Sequence, residues 1–304
     1  LALVKPDGVT VVSEFGSGGT QYPGQNAGVS FGMITSPPQP GYFATATPGA
    51  ANTGGFSGYV KDTKFSVNRG FFTAPQTLTL TTATPGATIR YTTNGSWPSE
   101  TAGTLYAGPI TIDRTMPVRA IAYKAGHRPT NVDTNTYVFV DDVITQTASN
   151  SQTTWGLPAV WGTQAPDYGM DTRVTSLHSA TIRNDLKRVP SLSVVCDVND
   201  MFGSSGIYSN PNSSGPAWER GVSLELIDPA AADGSGDFQL NCGIRIQGGA
   251  FRSFSLTPKK AFRVLFKSDY GPAKLRFPLF GPDAAKEFDT LTFRAENNDG
   301  YQWD

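Results

Sequence analysis

The sequence predicts a mainly β protein assembled from short strands. Three observations carry that expectation. The charged fraction is 16%, well below the ~25% of ordinary globular domains. The 33 glycines and 22 prolines suit a chain that turns often. Short apolar runs alternate with turn signals, a pattern that at a spacing of about 8–12 residues marks β-sandwiches.

The 304 residues accommodate about two domains of ordinary size, and a hydrophobic content of 38% supports real cores. A net charge of -1 gives no basic field that would draw nucleic acid or an anionic membrane. No apolar run approaches the ~20 residues needed to span a bilayer. The chain begins LALVKPDG, without an initiator Met, and stops at YQWD just after a strand-like run. It reads as the middle of a longer protein.

Residues 1–55 are rich in Gly, Pro and Thr, with strands expected at 9–15 and 28–34 and a loop at 41–52. Residues 60–141 are more regular. Strands are expected at 65–72, 77–82, 87–93, 109–112, 118–124 and 136–142, separated by turns at Pro85-Gly86, Asn94-Gly95, Gly108-Pro109 and Ala125-Gly126. In the 118–124 run Val118, Ala120 and Ala122 share a face while Arg119, Ile121, Tyr123 and Lys124 do not alternate cleanly, so both faces are expected to be partly covered. Residues 142–190 read as a connector: a polar stretch, then Trp155 and Trp161 as anchors, then a helix over 174–190 that ends at Pro190. Residues 191–304 return to strands at 191–198, 222–228, 238–248, 260–267 and 288–295.

Candidate chemistry concentrates in Asn241–Lys267, NCGIRIQGGAFRSFSLTPKKAFRVLFK. Gly248 and Gly249 between two strands free the backbone to approach a phosphate, and a lysine on the next strand can neutralise it. By strand parity Lys260 shares a face with Phe262, Val264 and Phe266, whereas Lys259 shares the other with Arg263 and Lys267. A lysine on the more apolar face is costly unless it meets an anion. Lys260 is thus the first candidate for a phosphate-binding lysine and Lys259 the second. The alternative is that both are strand-end lysines whose charges reach water. Arg245, Arg252 and Arg263 are candidates for further oxyanion contacts. Glu219 and Glu225 are candidate acidic partners of the lysine.

The remaining titratable groups point to no site. Cys196 and Cys242 read as small buried hydrophobes, with a disulfide left open. His127 and His178 have no partner at metal-ligand spacing, and no metal site is expected. Asp200-Met201-Phe202-Gly203 precedes the lysine strand and reads as a turn. Tyr91, Trp97, Tyr106 and Tyr123 admit two readings: a sugar-stacking surface, or packing of the sandwich and its turns.

Three family resemblances extend this reading. Tyr22-Pro23, Val29-Ser30-Phe31-Gly32, Tyr42-Phe43 and the run from Thr47 to Asn52 resemble the C-terminal end of a lamin-tail domain. The run from Thr84 to Ser96, with Pro98-Ser99, Gly103-Thr104, Tyr106, Gly108-Pro109-Ile110 and Arg119-Ala120, resembles the chitobiase/β-hexosaminidase C-terminal-type domain, an Ig-like β-sandwich. GIYSNP (206–211), WERGVSLELI (218–227), CGIRIQGG (242–249), PKKAFRVLFK (258–267), YGPAKLRFPLF (270–280) and FDTLTFRAENND (288–299) resemble the start of a CotH-type domain. That resemblance implies the β-rich N-terminal lobe of a divergent kinase-like fold. It also implies a secreted or surface bacterial protein whose full length would bind ATP and Mg²⁺ and phosphorylate protein Ser/Thr.

On this basis Lys260, Lys259, Gly248, Gly249 and Arg245 are expected to contribute to a nucleotide site. No catalytic residue is named, because the family's second lobe is not represented before Asp304, and Asn297, Asn298 and Asp299 read as a loop. The fragment alone is expected to show no kinase turnover. A different class of function is a non-catalytic surface or cell-wall protein whose sandwiches bind carbohydrate or protein.

Overall fold

Short alternating runs fold as short strands throughout the computed structural model, which describes residues 2–14, 24, 28–162, 164–229 and 236–295. The described chain is mainly β, with small sheets and a few short helices. It divides into two compact units. One comprises residues 1–61, 83–87 and 123–130, and the other 62–82, 88–122 and 131–304.

In the first unit, Ala2–Val4 pairs antiparallel with Val11–Glu14, and Ser30–Thr35 with Pro38–Phe43. Gly41, Tyr42 and Phe43, expected in a loop, are therefore strand residues. Phe43 is buried, and the Tyr42 ring packs against Phe31, Phe56 and Tyr59. Gly58–Tyr59 pairs parallel with His127–Arg128. Tyr22 and Pro23, which carry part of the lamin-tail resemblance, lie outside the described residues.

In the second unit the sandwich has a five-stranded sheet in the order Thr104–Leu105, Thr88–Thr92, Met116–Tyr123, Asp133–Phe139, Gly70–Phe72. Two two-stranded sheets accompany it, Gln76–Leu78 with Ile110–Ile112 and Thr63–Phe65 with Leu80–Thr82. Leu78, Leu80, Ile112, Val118, Ala120 and Tyr137 are buried. Arg119 and Ile121, on the opposite face of their strand from Val118, are buried as well.

The connector holds more helix than its composition suggests. Val140–Ile144 begins where the strand was expected to continue, and Ala148–Trp155 is a helix with a capping box from Thr147 and Asn150. Thr and Asn cap well because their side-chain oxygens accept from the orphan N–H groups of the first turn. The helix expected over 174–190 is instead two pieces, Thr172–Leu177 and Ile182–Asp185. Its apolar stripe is sparse, and Leu177 and Val189 are exposed, so little packing holds a longer helix.

The C-terminal part is a five-stranded antiparallel sheet in the order Ser191–Val195, Arg220–Ile227, Phe238–Gln247, Ala261–Leu265, Thr290–Phe293. One face is apolar. Val222, Leu224, Cys242, Ile244, Ile246, Val264, Phe266 and Leu291 pack there with Trp161, Ile207, Tyr208 and Leu275. The other face is polar and meets the sandwich. Glu225 is fully buried on it and accepts from Arg69 Nε at 2.9 Å and from Thr136 N at 3.0 Å, and from the Thr136 hydroxyl. Thr136 and Ser193 hydroxyls lie 2.8 Å apart, and Asn241 Nδ2 donates to the Val132 carbonyl at 2.9 Å.

A second contact involves the Asn94-Gly95-Ser96 turn. Gly95 has φ of 84°, and a Cβ there would come within 2.4 Å of the Cys196 carbonyl oxygen. Asn-Gly suits a positive φ, and here the missing side chain also admits the neighbouring backbone. Arg119, buried beneath this turn, donates to the Gly95 carbonyl at 2.7 Å and stacks on the Trp97 ring at 3.5 Å from its centroid.

Burial pushes the Glu225 pKa above the ordinary carboxylate range, opposed by Arg69 and by the Thr136 hydrogen bonds. Removing one partner of a buried pair strands the other and costs about 3–5 kcal/mol. Arg69→Met is expected to destabilise by that amount at pH 8. An acid with a raised folded pKa binds its proton more tightly in the folded state, so stability falls as pH rises through that window. The Arg69→Met penalty should therefore shrink at pH 5. Urea unfolding at both pH values checks this; a penalty independent of pH would mean that Glu225 is not the charged partner.

Candidate functional site

The glycine pair and the twin lysines occupy the expected stretch, but the two lysine side chains go to different places. Gly248, with φ of 120°, follows directly on the Phe238–Gln247 strand. Arg252 closes the segment by donating to the carbonyls of Gly248, Ile246 and Ser213 at 2.7, 2.9 and 2.8 Å. Its guanidinium is thereby engaged with backbone.

Lys260 lies on the apolar side, as its parity suggests, and is 4% exposed. Its Nζ donates to the Thr257 carbonyl at 2.5 Å and sits 4.1 Å from the centroid of the Phe254 ring. Neither Glu219 nor Glu225 reaches it, and among the described residues no carboxylate forms an ion pair with it. Burial lowers its pKa. Lys259 is solvent-facing and pairs with Asp167 at 2.8 Å, both side chains more than half exposed. Such pairs contribute little.

Arg245 points to the opposite face from Lys260. It stands across from Arg263, while Phe262, on the Lys260 side, stands across from Ile246. The carboxylate near Arg245 is Glu219, at 3.3 Å. Glu219 also accepts from Lys267 Nζ at 2.7 Å and from Tyr270 Oη at 3.3 Å. The lysine–glutamate pair of this sheet is thus Lys267–Glu219. Lys267 shares the parity of Arg263, which was the signal for it in the sequence.

The thiols of Cys196 and Cys242 are free, and burial pushes both up to about 12. Asp200-Met201-Phe202, expected as a turn, closes a short helix, Val198–Phe202, capped by Asp197 and ended by Gly203. Among the described residues no group of three or more His, Cys, Asp or Glu side chains is placed to hold a metal ion. Asn297, Asn298 and Asp299 lie outside the described residues. Among the described residues no helix is long and apolar enough to cross a membrane.

Two of the four candidate sugar-stacking aromatics do line an open space. Tyr91 and Trp97 border a cavity of about 680 Å³ with Thr92, Thr93, Ser96 and Thr104. Its other wall is Asp197, Asn199 and Asp200. Asn199 is exposed, and Asp200 stands 3.6 Å from Arg220, with burial raising its carboxyl pKa. Tyr106 instead packs edge-on against Tyr91 and accepts from Leu80 N at 3.1 Å. The acidic wall was not legible in the sequence, because it lies about a hundred residues along the chain from Tyr91. A second cavity of about 390 Å³ is mostly apolar, between Trp155, Leu157, Met201 and Phe202.

Residues 67–134 match the chitobiase/β-hexosaminidase C-terminal domain family. The matched segment carries Tyr91, Trp97 and the Asn94-Gly95 turn. Comparison with curated proteins and with solved structures returns no match.

The buried Lys260 charge makes a pH-dependent prediction. A base whose folded pKa is lowered binds its proton less well in the folded state, so stability rises as pH climbs from that lowered value toward the ordinary 10.5. Lys260→Met should remove this rise and leave stability at pH 7 within about 1 kcal/mol of wild type or above it. Thermal unfolding of both proteins from pH 7 to 10 checks the difference profile; parallel curves would show that the lysine charge is fully compensated.

Proposed function

We propose that this chain is a non-catalytic binding unit of a surface protein and that it recognises a neutral carbohydrate. The cleft beside Tyr91 and Trp97 carries the reading. Tyr91 and Trp97 put aromatic surface in this wall, which the apolar side of a sugar ring can contact. The facing Asp197 and Asn199, with the threonine and serine hydroxyls, offer acceptors and donors to its hydroxyls. The volume suits a ligand of one to a few rings, since small-molecule sites run from about 300 to 1,000 Å³. The chitobiase/β-hexosaminidase C-terminal match over residues 67–134 agrees with an accessory rather than a catalytic role.

Titration of the full chain with chitin-type and cellulose-type oligosaccharides tests this by calorimetry. Binding is expected, and Tyr91→Ala and Asn199→Ala should each weaken it at least tenfold with the fold unchanged. Binding untouched by both substitutions would place the ligand elsewhere, and no binding across the panel would sink the reading.

A second reading is supported by the C-terminal sheet. Five antiparallel strands, a glycine pair and a lysine–glutamate pair suit the first lobe of a CotH-type kinase-like domain, preceded by the end of a lamin-tail-like domain in residues 1–55. On that reading the full-length parent, secreted or at the cell surface, binds ATP with Mg²⁺ and phosphorylates a protein. The burial of Lys260 and its lack of a carboxylate partner among the described residues weigh against it as the phosphate lysine, and favour Lys267. Phosphate incorporation by the full-length protein should then be lost in Lys267→Ala and kept in Lys260→Ala. The reverse pattern would restore Lys260, and no incorporation by wild type would remove the kinase reading.

A further inference from the structure

Among the described residues, the polar face of the C-terminal sheet carries more cationic than anionic side chains. Arg245 and Arg263 are directly opposite each other on adjacent antiparallel strands. Opposed residues have Cβ atoms about 4.5–5.5 Å apart, and like charges so placed destabilise a sheet. Along this face the neighbouring positions are Gly243 and Gln247 on one strand, Ala261 and Leu265 on the next, and Thr290 and Thr292 on the third. None is acidic.

Glu219 supplies one carboxylate, and it is shared between Lys267 and Arg245. Among the described residues, Glu219 is the carboxylate that pairs with Arg245 and Lys267, and Arg263 lies next to them. Arg263 is half-buried, and among the described residues its guanidinium has no hydrogen-bond or ion-pair partner. An arginine holds five N–H donors in a planar fork that matches an oxyanion. Two forks on adjacent strands, one without a partner, define a place where an anion would relieve repulsion and satisfy donors at once.

We propose that Arg245 and Arg263 form a binding site for a tetrahedral oxyanion, phosphate or sulfate in type, with Lys267 and Thr292 beside it. The site stands apart from the cleft at Tyr91 and requires no phosphoryl transfer. A free inorganic anion and a phosphate carried on a nucleotide share this chemistry.

The test compares wild type, Arg263→Gln and Arg263→Lys in sodium phosphate and in sodium chloride of equal ionic strength. Phosphate stabilises proteins generally, so the quantity of interest is the difference between variants. Wild type should gain a saturable rise in unfolding midpoint with phosphate over chloride. In Arg263→Gln the rise should disappear, and its midpoint in dilute chloride should equal or exceed that of wild type because the like-charge contact is gone. Arg263→Lys should keep the repulsion and bind at least tenfold more weakly. Arg263→Gln less stable than wild type in every buffer would make Arg263 a packing residue and overturn the proposal. So would an equal phosphate response in all three proteins. A parallel titration with ATP separates the sources: half-saturation at least tenfold lower than with inorganic phosphate, and lost in Arg263→Gln, indicates a nucleotide, whereas equal half-saturation indicates the free anion.

Discussion

The carboxylate of Glu225 is the constraint around which the larger unit is arranged. An ionised group with no exposed surface must meet counter-charge and donors. The sheet that carries Glu225 supplies none of the partners described for it. Arg69 comes from beside the first edge strand of the sandwich, and Thr136 contributes both its N–H and its hydroxyl from the adjacent strand. Sandwich and sheet thus specify each other's position. A slip of one residue in either strand would turn Glu225 or Thr136 to the wrong face.

That lock also shapes the proposed binding cleft, because the walls of the cleft come from its two sides. Tyr91 and Trp97 belong to the sandwich, while Asp197 and Asn199 start the helix after the first strand of the C-terminal sheet. Glu225 fixes the two sheets at one place, and the Gly95–Cys196 backbone contact fixes them at another. A site assembled from packed elements in this way is held more firmly than one borne on a free loop. Trp97 links both roles: Arg119 stacks on its ring, and Gly221 leaves room for its edge.

Period and turn chemistry made much of this visible beforehand. The strands from 88 to 139 and from 191 to 293 follow alternation and Gly/Pro punctuation closely enough to be read with ends shifted by a few residues, whereas the expected strands 65–72 and 77–82 are each split between two sheets, the first as Thr63–Phe65 and Gly70–Phe72, the second as Gln76–Leu78 and Leu80–Thr82. The parity of Lys260 with Phe262 and Val264 correctly indicated an apolar setting. What parity cannot supply is the partner, because partners come from distant segments. Phe254 and Thr257, which receive Lys260, lie in an irregular stretch with no period to read. Arg69 and Glu225 are separated by 156 residues. The helix at Ala148–Trp155 is illegible for a different reason: its sequence is polar, and its stability rests on the Thr147–Asn150 capping box and not on an apolar stripe.

The two ends of the polar sheet face then differ in a way that the fold alone does not explain. At the sandwich end, Glu225 has Arg69, Ser193 has Thr136, and Asn241 has the Val132 carbonyl. Past Gly221 and Gly243, which are covered by Trp97 and Tyr270, Arg245 and Arg263 stand opposite each other, and among the described residues Glu219 pairs with Arg245 and Lys267. Folding has matched charge with charge where the face is buried. Where the face is open, the surplus of guanidinium donors persists, and a repulsive cross-strand pair retained on a rigid sheet is the arrangement expected of a surface preorganised for an anion.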